Sequence, residues 1–257
     1  MSNHADKNGH VHSETHRGVT RIGFGHPQSN SLPASVLQQL AKAIRHAGDD
    51  PATVVIVLHS SGEKAFCAGA SFDELVAIQN EAEGLAFFSG FAEVINAMRT
   101  CPKFIIARIQ GKCVGGGVGV AAAADYALAV KGSDVKLSEL AVGIGPFVVG
   151  PAVERKIGTS AFTQLAIDAT RFRTAEWAKH KGLFAEVYDS TEELDEAIGH
   201  LTHTLSHSSP EAMAEMKKIF WKGTEQWDVL LKERAAISGR LVLSEFTREA
   251  IAAFKKK

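Results

Sequence analysis

The sequence predicts an α/β fold that passes into a helical C-terminal region, and three observations carry this. Residues 54–58 are a continuous apolar run, and residues 104–109, apolar except for Arg108, read as a second buried strand, as in a parallel sheet covered on both faces. Each run is followed by a turn of small residues and then by a helical pattern, first at Ala68-Gly69-Ala70 and again at Gly115-Gly116-Gly117. From Ser160 onward the periodicity is almost wholly helical.

Taken in order, the chain opens with a hairpin, residues 11–15 and 19–24 around a His16-Arg17-Gly18 turn. Pro33 starts a helix over 33–46, with Val36, Leu37, Leu40, Ala43 and Ile44 at helical spacing. The Gly48-Asp49-Asp50-Pro51 break separates it from the first buried strand. Helices over 72–80 and 84–98 precede the second strand, and short strands follow at 126–130 and 135–137, with Glu139 almost at once behind them. Further helices are predicted at 161–168, 174–181, 192–206, 210–221, 224–238 and 244–255. No Pro/Gly/Ser-rich linker divides the α/β part, 1–190, from the helical part, 191–257. The strand-turn-helix unit recurs without sequence identity, and no repeat of fixed period is present.

Composition narrows the functional classes. With 257 residues, 45% of them hydrophobic and 22% charged, the chain has the make-up of a globular protein with a sizeable core. A net charge of −1 and the lack of a basic stripe leave no global attraction for nucleic acid or an anionic membrane, so a phosphate-bearing ligand must be held by local groups. Cys67, Cys101 and Cys113 are odd in number and lack metal-ligand spacing; without a signal peptide they predict reduced thiols in the cytoplasm and no metal site. The first dozen residues, with His4, His10 and His12, are expected to be a solvated tail. Trp177, Trp221 and Trp227 fall at helical positions and are assigned to the core or an interface.

The two small-residue turns carry the chemistry. Ser71 followed three residues later by Glu74 fits a capping box, which places the N–H groups of the Gly69-Ala70 turn beside a helix N-terminus. Together with the glycine triplet, this supplies two unhindered N–H donors from separate turns, the requirement of an oxyanion hole. A rival reading is a dinucleotide-binding turn: Gly117-x-Gly119-x-x-Ala122 satisfies a loose GxGxxA, with Glu139 twenty residues beyond Gly119. It leaves the Gly69-Ala70 turn unexplained and lacks a full parallel strand ending in the acid.

AFCAGASFDEL, GKCVGGGVGVAAAADYA and LSELAVGIGP, in this order, resemble the enoyl-CoA hydratase/isomerase (crotonase) family over nearly the whole chain. The resemblance implies a crotonase-like spiral ββα core over 1–190 that binds an acyl-CoA, and a helical C-terminal region, 191–257, that mediates assembly into a homotrimer or a dimer of trimers. It implies coenzyme A as part of the substrate, with no other cofactor. The N–H groups of Ala70 and Gly116 would be the oxyanion donors and Glu139 the acid–base residue. Ala68, Gly69, Ala70, Ser71, Gly115 and Gly116 would lie along the CoA thioester, and Phe254 and Lys257 would approach the CoA of a neighbouring subunit. Apolar neighbours on both sides of Glu139 predict a raised carboxyl pKa.

Three positions depart from the family's pattern. Ser71 stands where the family usually has Asp, and the loop from Gly145 to Pro151 replaces the usual glycine-rich run; its Phe147, Val148 and Val149 either shape the acyl end or pack a helix. Gly119 stands where the two-carboxylate hydratases have a second glutamate. Members similar to 3-methylglutaconyl-CoA hydratases also read GGGVG followed by SE, so hydration of an enoyl-CoA, branched or glutaconyl-type, is the first expectation. A Δ3,Δ2-enoyl-CoA isomerase and a CoA-thioester-binding paralogue without hydratase activity are the alternatives. No histidine is assigned a catalytic role.

Overall fold

The computed structural model of the chain describes residues 8–254. Strands β1 (His10–His16) and β2 (Val19–Gly25) form the expected antiparallel hairpin, turning at Arg17 and Gly18, both with positive φ. β1 begins one residue earlier than expected, so His10 joins His12 in a strand and the predicted tail ends before both. The cause is backbone pairing with β2, which needs no apolar pattern on an edge strand; the His12 ring also packs 5.6 Å from that of His59. His4 lies outside the described residues.

The rest of the core is a repeated step from a large sheet to a small one to a helix. After β3 (Ser31–Leu32) and α1 (Ala34–Asp49), β4 (Val55–Ser60) leads to β5 (Ala65–Cys67), β6 (Gly69–Ala70), α2 (Phe72–Ala77) and α3 (Glu81–Thr100). β7 (Phe104–Ile109) leads to β8 (Lys112–Val114) and α4 (Gly116–Ala123). β9 (Tyr126–Val130) leads to β10 (Val135–Lys136), a 3-10 turn (Glu139–Val142) and α5 (Gly150–Ile167). Then come α6 (Ala175–His180), β11 (Glu186–Tyr188), α7 (Thr191–Ser206), α8 (Pro210–Phe220), α9 (Trp227–Leu241) and α10 (Glu245–Phe254).

Among the described residues the large sheet runs β1-β2-β4-β7-β9-β11, parallel except for the hairpin; the small sheet runs β10-β8-β5, and β3 pairs with β6. The largely apolar strands follow from covering both faces of the large sheet. Ile56, Leu58, Ile105 and Ala107 face the main core with α1, α3 and α4, whereas Val55, Val57, Phe104 and Ile106 pack against Leu194, Ile198 and Met213 of α7 and α8. α4, built only of Gly, Val and Ala, is buried at every residue, so a slim helix runs through the centre of the molecule.

The sequence reading misses the start of α5 at Gly150, because Gly158 interrupts the helical conformation and only the second half has clear periodicity. One polar cluster anchors α8 to the core. The Lys217 ammonium lies 2.8 Å from the Asp125 carboxylate and donates to the Lys103 carbonyl, while Asp125 also accepts from Ile105 N–H and the Trp221 indole. All three thiols are buried, which raises their pKa values, that of Cys67 to about 12.

Candidate active site

The small sheet brings the sequence-predicted residues together. Its strands run parallel with Cys113 beside both Cys67 and Val135, and Lys136 beside Val114. The chain leaving the C-terminal end of each strand therefore emerges at one level: Ala68-Gly69-Ala70 after β5, Gly115-Gly116 after β8 and Leu137-Ser138-Glu139 after β10. These segments converge on a cavity of about 550 Å³, lined by Ala68, Gly69, Ala70, Gly115, Gly116 and Glu139 among others.

The two donor turns abut. A Cβ on Gly69, whose φ is +96°, would lie 3.7 Å from the Gly116 nitrogen. Ala68 N–H donates to the Asn30 carbonyl and Ser71 N–H to the Leu32 carbonyl, which pins the first turn at both ends. Gly116 is the first residue of α4, where an N–H has no intrahelical acceptor and the helix dipole favours negative charge. Ser71 is buried beneath the turn rather than lining the cavity. Its hydroxyl accepts from Glu74 N–H at 3.3 Å, so the N-cap forms. The return half of the capping box does not, because the Glu74 carboxylate instead accepts from Ala34 N–H at 2.9 Å and ties α2 to the start of α1.

Glu139 opens the 3-10 turn, and Ile144 N–H donating to its carbonyl closes that turn. Room for its carboxyl comes from Gly115: a Cβ there would sit 3.1 Å from Glu139 Oε1. The other oxygen, Oε2, is buried without a hydrogen-bond partner, and burial pushes the carboxyl pKa up to about 7. A carboxyl with a pKa near neutrality, lining a cavity that it shares with Ala70 and Gly116, is equipped for proton transfer.

The space beside Gly119, where the resemblance leads one to look for a second carboxylate, is filled. A Cβ on Gly119 would lie 2.5 Å from Val149 Cγ1, so the loop between the 3-10 turn and α5 has moved apolar bulk into that space. Val148 and Val149 line the cavity and are also buried in the main core. Phe87, Phe88, Phe91 and Phe147 complete an aromatic wall. The dinucleotide reading fails on the same geometry. β10 does run parallel to β8 ahead of Glu139, but the acid is packed against the glycine triplet instead of standing across an open crevice from it.

The C-terminal helices belong to the site as well. Ser238 of α9 and Ala250 of α10 line the cavity, and the Thr247 hydroxyl donates to the Gly143 carbonyl, holding α10 over the 3-10 turn. Phe254 ends α10, and Lys257 lies outside the described residues. Sequence reasoning missed Lys136, which lines the cavity. The available signal was a lysine between two buried apolar residues, Val135 and Leu137, three positions before the glutamate.

The chain is similar to known proteins in both sequence and fold. The family model described as enoyl-CoA hydratase/isomerase matches residues 14–257. The chain is 27% identical over 211 residues to carnitinyl-CoA dehydratase of Proteus mirabilis (strain HI4320) and 28% identical over 214 residues to that of Escherichia coli (strain K12), in each case covering 82% of this chain and 79% of the relative. Among solved structures, an enoyl-CoA hydratase from Bacillus halodurans superimposes with a TM-score of 0.87 over 95% of this chain and 99% of that one, a likeness of fold at 23% identity. An enoyl-CoA hydratase from Mycobacterium avium gives a TM-score of 0.84 at 26% identity, covering 96% of both chains. With a match spanning nearly its whole length and the same fold in these structures, the chain belongs to the enoyl-CoA hydratase/isomerase family.

Proposed function

We propose that the protein is an enoyl-CoA hydratase that works with a single acid–base residue. The observation that carries this is the Glu139 carboxyl, with one oxygen buried and unpartnered and its pKa near 7, beside the two donor turns. The thioester oxygen accepts from Ala70 and Gly116 N–H, which favours the enolate over the ground-state carbonyl. As the oxygen of a water bonds to C3 of the enoyl group, the Glu139 carboxylate takes one of its protons, and the π electrons move to the thioester oxygen. Glu139 then returns that proton to C2, so both atoms of the double bond are satisfied by one water. A carboxyl that titrates near neutrality serves both half-steps.

A second reading, an enoyl-CoA isomerase, is favoured by Val149 filling the space beside Gly119. There Glu139 removes a proton from C2 and returns it to C4 through the same enolate, with no water held. The substrate is an acyl-CoA, the acyl group of the branched or glutaconyl type, and coenzyme A enters as part of the substrate with no further cofactor. Assembly as a homotrimer or dimer of trimers belongs to the same proposal, and exposed Met216, Ile219 and Phe220 on α8 supply apolar surface for it. No helix of the described residues is long and apolar enough to cross a membrane. A cytoplasmic location is proposed from the three thiols, which are free and buried. Mass spectrometry of products formed from enoyl-CoAs in deuterated water separates the readings. Addition of water supports the hydratase, solvent label without water gain the isomerase, and neither change points to a CoA-thioester-binding protein.

A further inference from the structure

We propose that Lys136, assisted by Lys112, recognises an anionic group of the substrate, a phosphate of the CoA portion or a carboxylate at the far end of the acyl group. The inference rests on the reading of the cavity as a CoA-thioester site. Lys136 is the residue of β10 beside Val114, and Lys112 precedes Val114 by two, so both side chains leave the same face of the small sheet. Both reach one aromatic ring, with the Lys136 ammonium 4.3 Å and the Lys112 ammonium 5.0 Å from the centroid of Phe172. That ring is fixed relative to β10 by its neighbour Arg173, which exchanges two backbone hydrogen bonds with Val135, at 2.8 and 2.9 Å.

One charge, Lys136, thus stands at the wall of an otherwise largely apolar cavity, and a second, the exposed Lys112, shares the Phe172 ring with it. Among the described residues, the carboxylates that form ion pairs engage other cations, and neither lysine has an acidic partner. Partial burial and the neighbouring Lys112 both push the Lys136 pKa down, the sign of an uncompensated positive site. Glu139 does not compensate it, because its carboxyl is turned to Gly115. An arriving anion would relieve the repulsion between the lysines and form charge-assisted hydrogen bonds beside the partly buried Lys136, where they are worth more than on an open surface. In a chain of net charge −1, this local pair is the kind of feature needed to hold a polyanionic ligand.

Calorimetry with saturated, unreactive thioesters tests the proposal, using butyryl-CoA, glutaryl-CoA and butyryl-pantetheine with the wild type, Lys136→Met, Lys136→Arg and Lys112→Met. Melting temperatures of the variants serve as a check on folding. Loss of one charge-assisted contact should weaken binding roughly ten- to a hundredfold in Lys136→Met. Lys112→Met should lose less, and Lys136→Arg should recover most of the affinity. A loss shared by both CoA thioesters and absent for butyryl-pantetheine identifies a phosphate; a loss confined to glutaryl-CoA identifies the acyl carboxylate. Wild-type affinity of Lys136→Met for every thioester overturns the proposal, as does an equal loss for uncharged butyryl-pantetheine, which marks a packing role. If the wild type binds no CoA thioester, the functional reading itself fails, and this inference with it.

Discussion

Replacing Glu139 by Gln removes the proposed proton carrier and also removes a charge that the fold holds at a cost, so activity and stability should move in opposite directions. The carboxyl titrates near 7 in the folded protein rather than at the ordinary 4.5, because burial disfavours its charged form. As pH rises above 4.5 the unfolded chain releases this proton first, and the folded state is progressively disfavoured until the pH passes 7. The stability associated with the neutral carboxyl is therefore fully present below pH 4.5 and lost on the way up, a total of about 3 kcal/mol. Glutamine is nearly isosteric and does not titrate. Glu139→Gln should accordingly match the wild type near pH 4.5 and exceed it by up to ~3 kcal/mol at pH 8, a rise in Tm of roughly 5–10 °C for a chain of this size. Turnover should fall about 10²- to 10⁴-fold with CoA binding retained, and the wild-type kcat/KM should show an acid limb near pH 7. Urea or thermal denaturation from pH 5 to 8, run beside a turnover assay, measures both. Wild-type turnover in Glu139→Gln on every enoyl-CoA that the protein converts, or a stability difference that does not grow with pH, would refute the assignment.

The other predictions probe the oxyanion hole, the filled carboxylate position, the ligand and the core. Gly116→Val places a Cβ 2.2 Å from a Phe91 ring atom and obstructs the thioester oxygen, so it should cost roughly 10² or more in rate. Adding Phe91→Ala to relieve the clash should restore folding without restoring rate, and recovered activity would place the hole elsewhere. Gly119→Glu alone should destabilise the protein by about 1–3 kcal/mol through collision with Val149. Combined with Val149→Gly, which removes both the Cγ1 and the Cβ that crowd this position, it should raise hydration relative to isomerisation, and an unchanged product ratio counts against a water site there. Crotonate should not bind detectably beside crotonyl-CoA, since remote contacts to the CoA supply the affinity; equal affinities by calorimetry would contradict the acyl-CoA reading. Lys217→Met strands the buried Asp125 carboxylate and should cost about 3–5 kcal/mol in urea unfolding.

Much of this protein was legible in the chain because local pattern carries it. Strands at 104–109 and 126–130 announce themselves as largely apolar runs, since both faces of their sheet are covered. The Gly69-Ala70 and Gly115-Gly116 turns are visible because small residues mark where backbone must come close to other groups. Apolar neighbours of Glu139 foretold the direction of its pKa shift, because desolvation follows from what surrounds a carboxyl. β3, β6 and β11, of two or three residues, gave no such signal, whereas the equally short β10 was marked by Val135 and Leu137 on either side of Lys136.

What only the tertiary structure decided depends on pairings between distant residues. The parallel register of β5, β8 and β10 sets three turns at one level, and residues 70, 116 and 139 share a cavity for that reason. Val149 occupies the space beside Gly119 because a loop thirty residues away folds onto α4, an outcome that no spacing within either segment encodes. Lys136 and Lys112 meet over Phe172 only once β10, β8 and the loop after α5 are packed together. Composition and periodicity report how a segment meets its own surroundings, whereas a site assembled from turns of successive strands exists only when long-range register brings them together.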